Sequence, residues 1–395
     1  MSGQRKKMPT RAIVAVSRLP AWGGSEVVAC EMAESLIERG LRVEVFAYAV
    51  RPEQRQYLEG LGAKVRSAEC ELDISKFDLV YCHHQLASHL LFRQLLGHEL
   101  NGNLPVFVYN HLSPYESMEM PGPLIEAKIA DVIWCNSVET QRVVNEFGPR
   151  FSDTVVVPNP APDRFFASRS DNSPHISSLL IVSNHIPPEM VAALVLLERE
   201  GVRVTRIGYG HIVRRVEPQD FLTHDAVISI GKSVQYALAS ATPVYCYDHF
   251  GGPGWLTNEN LATAQDSNFS GRSHPRKLKA ATIAADIKRG YRAAAVETVG
   301  ISRGAADQWR LSRIVDDLVD FVQHERHDPA RSARLRDVVG TSDFRRNVIA
   351  EGHVQENFRR ELIQRMKVED RQQKNIKRPH KSLLSRLNAS LRGRQ

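Results

Sequence analysis

Short apolar runs alternate along this chain with longer segments whose apolar positions recur at helical spacing. Residues 11–16 (RAIVAV) are apolar after the first position, which predicts a strand buried on both faces. From about Glu26 to Arg39, Val28, Met32 and Leu36 form one stripe with Ala29, Ala33 and Ile37 beside it, which predicts a helix. Ser25 suits its N-cap and Gly40 its C′ position. Further strands are predicted over 41–48, near Val65, and over 79–82, 104–109, 130–136 and 155–157. A polar stretch with Pro174 and several serines follows over 163–178. The rhythm then resumes with a strand over 179–183, a helix over 188–200, and strands over 202–207, 226–230 and 244–247. Residues 280–296 read as helix, and beyond about 305 the chain reads as all helical. Leu311, Ile314, Leu318 and Val322 share one stripe there.

Buried strands alternating with helices predict two α/β domains with parallel sheets. The expected boundaries are a flexible N-terminus over 1–10, a first Rossmann-like domain over 11–165 and a linker over 166–178. A second Rossmann-like domain over 179–325, a helical extension over 326–370 and a basic tail over 371–395 complete the division. Most strands of the first half end in polar residues: His83-His84, Asn110-His111, Asn136-Ser137 and Asn159. Open α/β sheets bind ligands at that carboxyl edge.

The stretch 225–254 (DAVISIGKSVQYALASATPVYCYDHFGGPG) reads as strand, tight loop, short helix, strand and glycine loop. Gly231, Lys232 and Ser233 open the helix and offer backbone N–H groups, an ammonium and a hydroxyl, which suit an anion such as a phosphate. An ATP-binding P-loop would need glycine at 226, where the chain has Ala226. Gly251, Gly252 and Gly254 form the expected second loop. Gly23-Gly24 lies between the first strand and its helix, where missing side chains let a ligand approach the backbone. Each feature also has a plain structural reading: a turn needing positive φ for the glycines, a solvated side chain for the lysine. His111 at a strand end is a candidate for the same edge, or a capped histidine. His83 and His84, adjacent on a strand, point to opposite faces and cannot both meet one ligand. No H-x-x-x-H or C-x-x-C spacing suggests zinc.

Composition adds limits. The chain has 395 residues, enough for two domains, with 42% hydrophobic and 25% charged residues, as in ordinary globular enzymes. Five cysteines without paired spacing read as reduced core residues of a cytosolic protein. No apolar run reaches the ~18–20 residues that span a bilayer, and no apolar segment follows the basic N-terminus as a secretory signal would require. The net charge of +7 resides in the tail: Arg371, Lys374, Lys377, Arg378, Lys381, Arg386, Arg392 and Arg394 stand there without an acid, and the rest is close to neutral. That pattern does not suggest a nucleic-acid-binding body. Leu383, Leu384, Leu387 and Leu391 among those cations fit a basic helix lying on an anionic membrane surface, or a solvated tail.

The first half resembles the family 4 glycosyltransferases of the GT-B fold. GGSE at 23–26 opening a helix, the RG-x-x-V-x-V-x-x run at 39–47, FDLVYCHH at 77–84, His111, ADVIWCNS at 130–137 and VVVPNP at 155–160 stand in that family's order and spacing. The resemblance covers about 11–165 well and 179–270 in outline. It implies two Rossmann-like domains facing across a cleft, with a nucleotide sugar held mainly by the second and the acceptor by the first. It implies that the Gly23-Gly24 backbone meets the donor's phosphate or sugar and that His111 contacts the donor sugar near the reacting centre. It implies no cofactor beyond the nucleotide sugar as co-substrate and no metal. The family's glutamate pair falls on Ile228 and Tyr236, and its Arg and Lys after the first strand of the second domain are absent, with Asn184-His185 nearby. On this reading Lys232 and Ser233 take the pyrophosphate, Gln235 or Tyr236 the ribose, and Gly251 and Gly252 line the donor loop. The expected function is sugar transfer to a glycan or lipid-linked acceptor in bacterial surface polysaccharide assembly, cytoplasmic or at the inner face of the membrane. A non-catalytic sugar-nucleotide-binding subunit and a nucleotide-sugar epimerase are the alternatives.

Overall fold

In the computed structural model the described residues are 8–68, 70, 72–98, 100, 104–167 and 173–376. The residues 383–391 of the expected membrane helix lie outside them.

The first unit contains β1 (Arg11–Ala15), β2 (Arg18–Leu19), α1 (Gly24–Glu38), β3 (Arg42–Phe46), β4 (Ala49–Val50), α2 (Pro52–Gly60) and β5 (Lys64–Arg66). It continues through β6 (Leu79–Cys82), α3 (Leu86–Gly97), β7 (Val106–His111), α4 (Glu126–Ile129), β8 (Val132–Cys135), α5 (Val138–Asn145) and β9 (Val155–Val156). Its main sheet has the order β5-β3-β1-β6-β7-β8-β9, and every pairing is parallel. Successive residues of β1 face opposite layers, as the strand period demands. Ile13 and Ala15 pack towards α3, and Ala12 and Val14 towards α1. Strand order reverses beside β1, since β3 lies on one side and β6 on the other. The β1–α1 loop therefore opens at a topological switch point.

The second unit contains β10 (Ser178–Val182), α6 (Pro188–Arg199), β11 (Arg203–Ile207), α7 (Pro218–Leu222), β12 (Ala226–Ser229), α8 (Lys232–Ala239), β13 (Val244–Asp248) and β14 (Gly251–Trp255). The helices α9 (Leu261–Asp266) and α10 (Ala280–Gly304) follow. The sheet order is β11-β10-β12-β13-β14, parallel except for the antiparallel β13–β14 pair. Its switch point lies between β10 and β12, next to the Gly231 turn. The expected glycine loop at 251–254 is instead the edge strand β14. A Cβ on Gly252 would stand 2.1 Å from the Cys246 carbonyl oxygen, so glycine is what lets this strand close on β13.

The last three helices are α11 (Leu311–Glu325), α12 (Pro329–Val339) and α13 (Ser342–Ile376). All three contribute to the cores of the first unit: Leu311, Val315, Leu318 and Val322 to one layer, Leu335, Val339, Phe344 and Val348 to the other. The chain thus returns to the first unit near residue 310, and the boundary expected at 325 is displaced. The stripe of α11 is the apolar surface that α1 and β3 need on that face. Two segments make the crossing together. Leu311 N–H donates to Ala161 at 2.9 Å and Ala161 N–H to Trp309 at 2.6 Å, while the Trp309 side chain is fully buried.

Candidate functional site

The two switch points face each other across one cavity of about 450 Å³. Gly23, Gly24 and Ser25 line it from the first unit, and Gly231, Lys232, Ser233 and Tyr236 from the second. The first helix begins two residues earlier than Ser25 capping would place it: Gly23 is the N-cap and supplies no side-chain bond. Gly231 caps α8 at φ +60, a conformation that favours glycine. The first N–H groups of a helix lack intrahelical acceptors, and both helices begin at the cavity wall. Two positive helix ends thus converge on one space, an arrangement suited to a multiply charged anion.

Sequence reasoning missed the most densely bonded group beside this space. Glu31, on α1, is fully buried. Its Oε1 accepts from Arg215 at 2.9 Å and from the Tyr236 hydroxyl at 2.6 Å, and its Oε2 lies 2.8 Å from the Lys232 ammonium. Arg215 also donates to Glu34 at 3.1 Å. The Lys232 ammonium donates to the Pro160 carbonyl at 2.5 Å and stands 5.0 Å from the Tyr236 ring centre. Burial would raise the Glu31 pKa, but Lys232 and Arg215 overcome it and hold the carboxyl below its usual range. Burial, with Glu31 beside it, pushes the Tyr236 phenol well above its ordinary value, so it remains a donor. Lys232 therefore lines the cavity with its stem while its charge ties the two units together. The only sequence sign of this was an acid set among the small apolar residues of α1.

Other residues at the cavity come from loops without periodic signal. Asn184 and His185 follow β10, and Arg214 and Arg215 follow β11. Arg214 pairs with Asp220 at 2.6 Å. Asn159 and Asn268, both at the wall, bond across the two units at 3.0 Å.

Gln235, Gly251, Gly252 and His111 are not among the cavity-lining residues. With its amide nitrogen turned inward, Gln235 donates to the Gly231 and Lys232 carbonyls at 2.8 and 3.0 Å, back onto the first turn of its own helix rather than into the cavity. A Cβ on Gly251 would meet the Arg276 backbone at 2.5 Å, so packing dictates this glycine too. The His111 ring is buried. Nε2 lies 2.7 Å from Glu126, and Nδ1 faces the Glu119 carbonyl. Burial would lower its pKa, but Glu126 and the carbonyl bond raise it, so an imidazolium with both nitrogens donating fits the site. The loop that follows His111 does reach the cavity, through Leu112, Ser113, Glu116 and Glu119.

Glu119 is the deepest acid of that loop. Its Oε2 accepts from Leu112 N–H at 3.0 Å. His84 accepts from Ser17 N–H through Nδ1 at 3.1 Å, which leaves Nε2–H to donate to Glu119 at 3.1 Å. Burial opposes ionisation, yet His84 and the backbone bond pull the Glu119 carboxyl down to about 2. The neighbouring His83 has no hydrogen-bond partner on either ring nitrogen, and burial lowers its pKa to about 3, which keeps it neutral. Among the described residues, no three His, Cys, Asp or Glu side chains group so as to hold a metal ion, and no helix is long and apolar enough to cross a membrane.

Comparison with known proteins agrees with this architecture. The family described as Glycosyltransferase Family 4 matches residues 22–164. The Anabaena HepE structure in complex with UDP and glucose superposes with a TM-score of 0.52 at 14% identity, covering 80% of this chain and all of HepE. A glycosyltransferase from Rickettsia africae ESF-5 superposes with a TM-score of 0.51 at 11% identity, covering 80% of this chain and 98% of its own. No curated protein sequence matches. The chain thus has the GT-B fold, and its residues 22–164 are similar to the family 4 glycosyltransferases.

Proposed function

We propose that this protein is a glycosyltransferase that moves a sugar from a nucleotide-sugar donor to a glycan or lipid-linked acceptor in surface polysaccharide assembly. The observation that carries the reading is the shared cavity, where the starts of α1 and α8 and the arginines after β11 converge. A nucleoside diphosphate sugar carries two negative charges at its centre and leaves a charged diphosphate when its glycosyl bond breaks. Helix N-termini aimed at that diphosphate stabilise it most as charge develops there. HepE, which shares the fold, was crystallised with UDP and glucose, and UDP is the first donor base to try.

In this reading Ser233 and the N–H groups of 231–233 meet the diphosphate directly. Lys232 and Arg215 hold the closed arrangement through Glu31, and Tyr236 supports them. His111 acts as a positioning residue: its pair with Glu126 fixes the loop 112–119 that faces the reacting end. The tail over 371–395 would hold the enzyme at an anionic membrane surface.

The test is transfer from labelled nucleotide sugars to glycans and lipid-linked sugars, with release of nucleoside diphosphate as a second readout. Transfer lost in Ser233→Pro, while Ser233→Thr keeps it, supports the reading. Interconversion of the donor without any acceptor would replace it by the epimerase alternative.

A further inference from the structure

Exposed aromatic rings from both units meet at the rim of the cavity. Tyr115 is 66% exposed and Phe250 38%. Neither is left to swing freely. The Arg272 guanidinium lies 4.8 Å from the Tyr115 ring centre and 5.8 Å from that of Phe250. Arg272 donates to both oxygens of Glu139, with its shortest bond at 2.6 Å, and the Tyr115 hydroxyl donates to Glu139 at 3.0 Å. Arg272 and Phe250 belong to the second unit, Tyr115 and Glu139 to the first. One ion pair therefore holds two exposed rings in place across the cleft mouth.

The neighbours of these rings reach into the cavity. Ser113 and Glu116 flank Tyr115, and Asp248 lies two residues before Phe250; all three are cavity-lining. The charge of Arg272 is matched by Glu139 and Asp248 lies 3.1 Å from the His249 ring nitrogen, which leaves Glu116 as the exposed acid at this rim. The cavity's arginine and lysine charges gather elsewhere, around Glu31, Glu34 and Asp220. The cavity is thus divided into a region near the starts of α8 and α1, where helix N–H groups face the space and the side-chain cations are already paired, and an acidic, aromatic rim.

We propose that Tyr115, Phe250, Glu116 and Asp248 form the acceptor seat, and that the acceptor end held there is a neutral sugar. This rests on the glycosyltransferase reading above. A pyranose offers a C–H face that packs on an aromatic ring and hydroxyl groups that donate to carboxylates. A phosphate, uronate or sialate at the same place would face the carboxylates of Glu116 and Asp248, and like charges at close range repel. The division also orients the donor: its diphosphate is drawn to the helix starts, and its sugar then points towards the rim.

The experiment is binding of the full chain, with UDP present, to immobilised neutral oligosaccharides and to phosphorylated, sialylated and uronate-bearing ones. Neutral glycans should bind. Tyr115→Ala and Phe250→Ala should weaken that binding about tenfold, the loss of one ring contact. Tyr115→Phe, which keeps the ring, should stay within about threefold of wild type on the same scale. The thermal shift produced by UDP should be unchanged in all three variants, which shows that they fold and keep the donor site. Binding confined to charged glycans, no glycan binding alongside intact nucleotide binding, or equal binding by Tyr115→Ala would overturn the acceptor seat alone. Absence of any nucleotide binding by the wild type would overturn the parent reading and this one with it.

Discussion

Replacing Glu31 by Gln keeps the side chain's volume and removes its charge. In the native structure Glu31 takes one bond from Arg215 at 2.9 Å, one from Tyr236 at 2.6 Å and an ion pair with Lys232 at 2.8 Å, all without solvent contact. The amide leaves a buried ammonium with the Pro160 carbonyl as its polar partner and a guanidinium with Glu34 and Tyr57. Breaking a buried pair from one side costs about 3–5 kcal/mol, because the stranded charge is not solvated. In a chain of this length each kcal/mol moves the unfolding midpoint by roughly 1 °C, so a fall of about 4–6 °C is expected in calorimetry. Glu31→Gln combined with Lys232→Met should recover part of that loss, with a coupling of about 1–3 kcal/mol. A single-variant midpoint within about 1 °C of wild type, or strictly additive effects, would show that the cluster does not hold the two units as described.

Three further outcomes follow from particular contacts. Gly252→Ala sets a methyl group against the Cys246 carbonyl and should cost about 1–3 kcal/mol or leave the chain insoluble; a stable variant would mean β14 can move away. Leu318→Ala, on a helix that the sequence placed with the second unit, should open a cavity beneath the first sheet, costing about 2–5 kcal/mol and lowering protection from hydrogen exchange in β1 and β3. The third concerns pH. Glu119 is depressed from the carboxylate value of 4.5 to about 2, so its stabilisation is present above 4.5 and is lost as pH falls from there towards 2. The amount is about 3 kcal/mol for a fully buried group. Urea titrations between pH 5 and 3 should therefore show a loss of stability that is shallower in Glu119→Gln, and identical slopes would contradict the assignment.

The regular parts of the molecule were legible because their periodicity is strong. β6 spans the same residues that LVYC predicts, and β10 to β13 fall within a residue or two of their apolar runs. Gly23-Gly24 and Gly231-Lys232-Ser233 were found because a strand followed at once by a helix start is visible in sequence, and the sheets bring both turns to one cavity. The rest depended on contacts between units, which leave no periodic trace. β14 was taken for a loop because GGPG carries neither alternation nor strand propensity; its conformation comes from pairing with β13. The stripe of α11 was visible, but nothing in it says which sheet it covers. Lys232 was noticed for its charge, while the direction of that charge depends on Glu31, two hundred residues earlier in the chain. Gln235 spends its amide on carbonyls of the turn before it.

The central claim is that the turns at 23–26 and 231–234 are two walls of one nucleotide site. Hydrogen exchange with and without saturating UDP and UDP-sugars tests it most directly. The account predicts slower exchange at both segments at the same nucleotide concentration, with little change in α12 and α13, which contribute no cavity-lining residue. Protection confined to one unit, or none with any nucleotide of the panel, would contradict it.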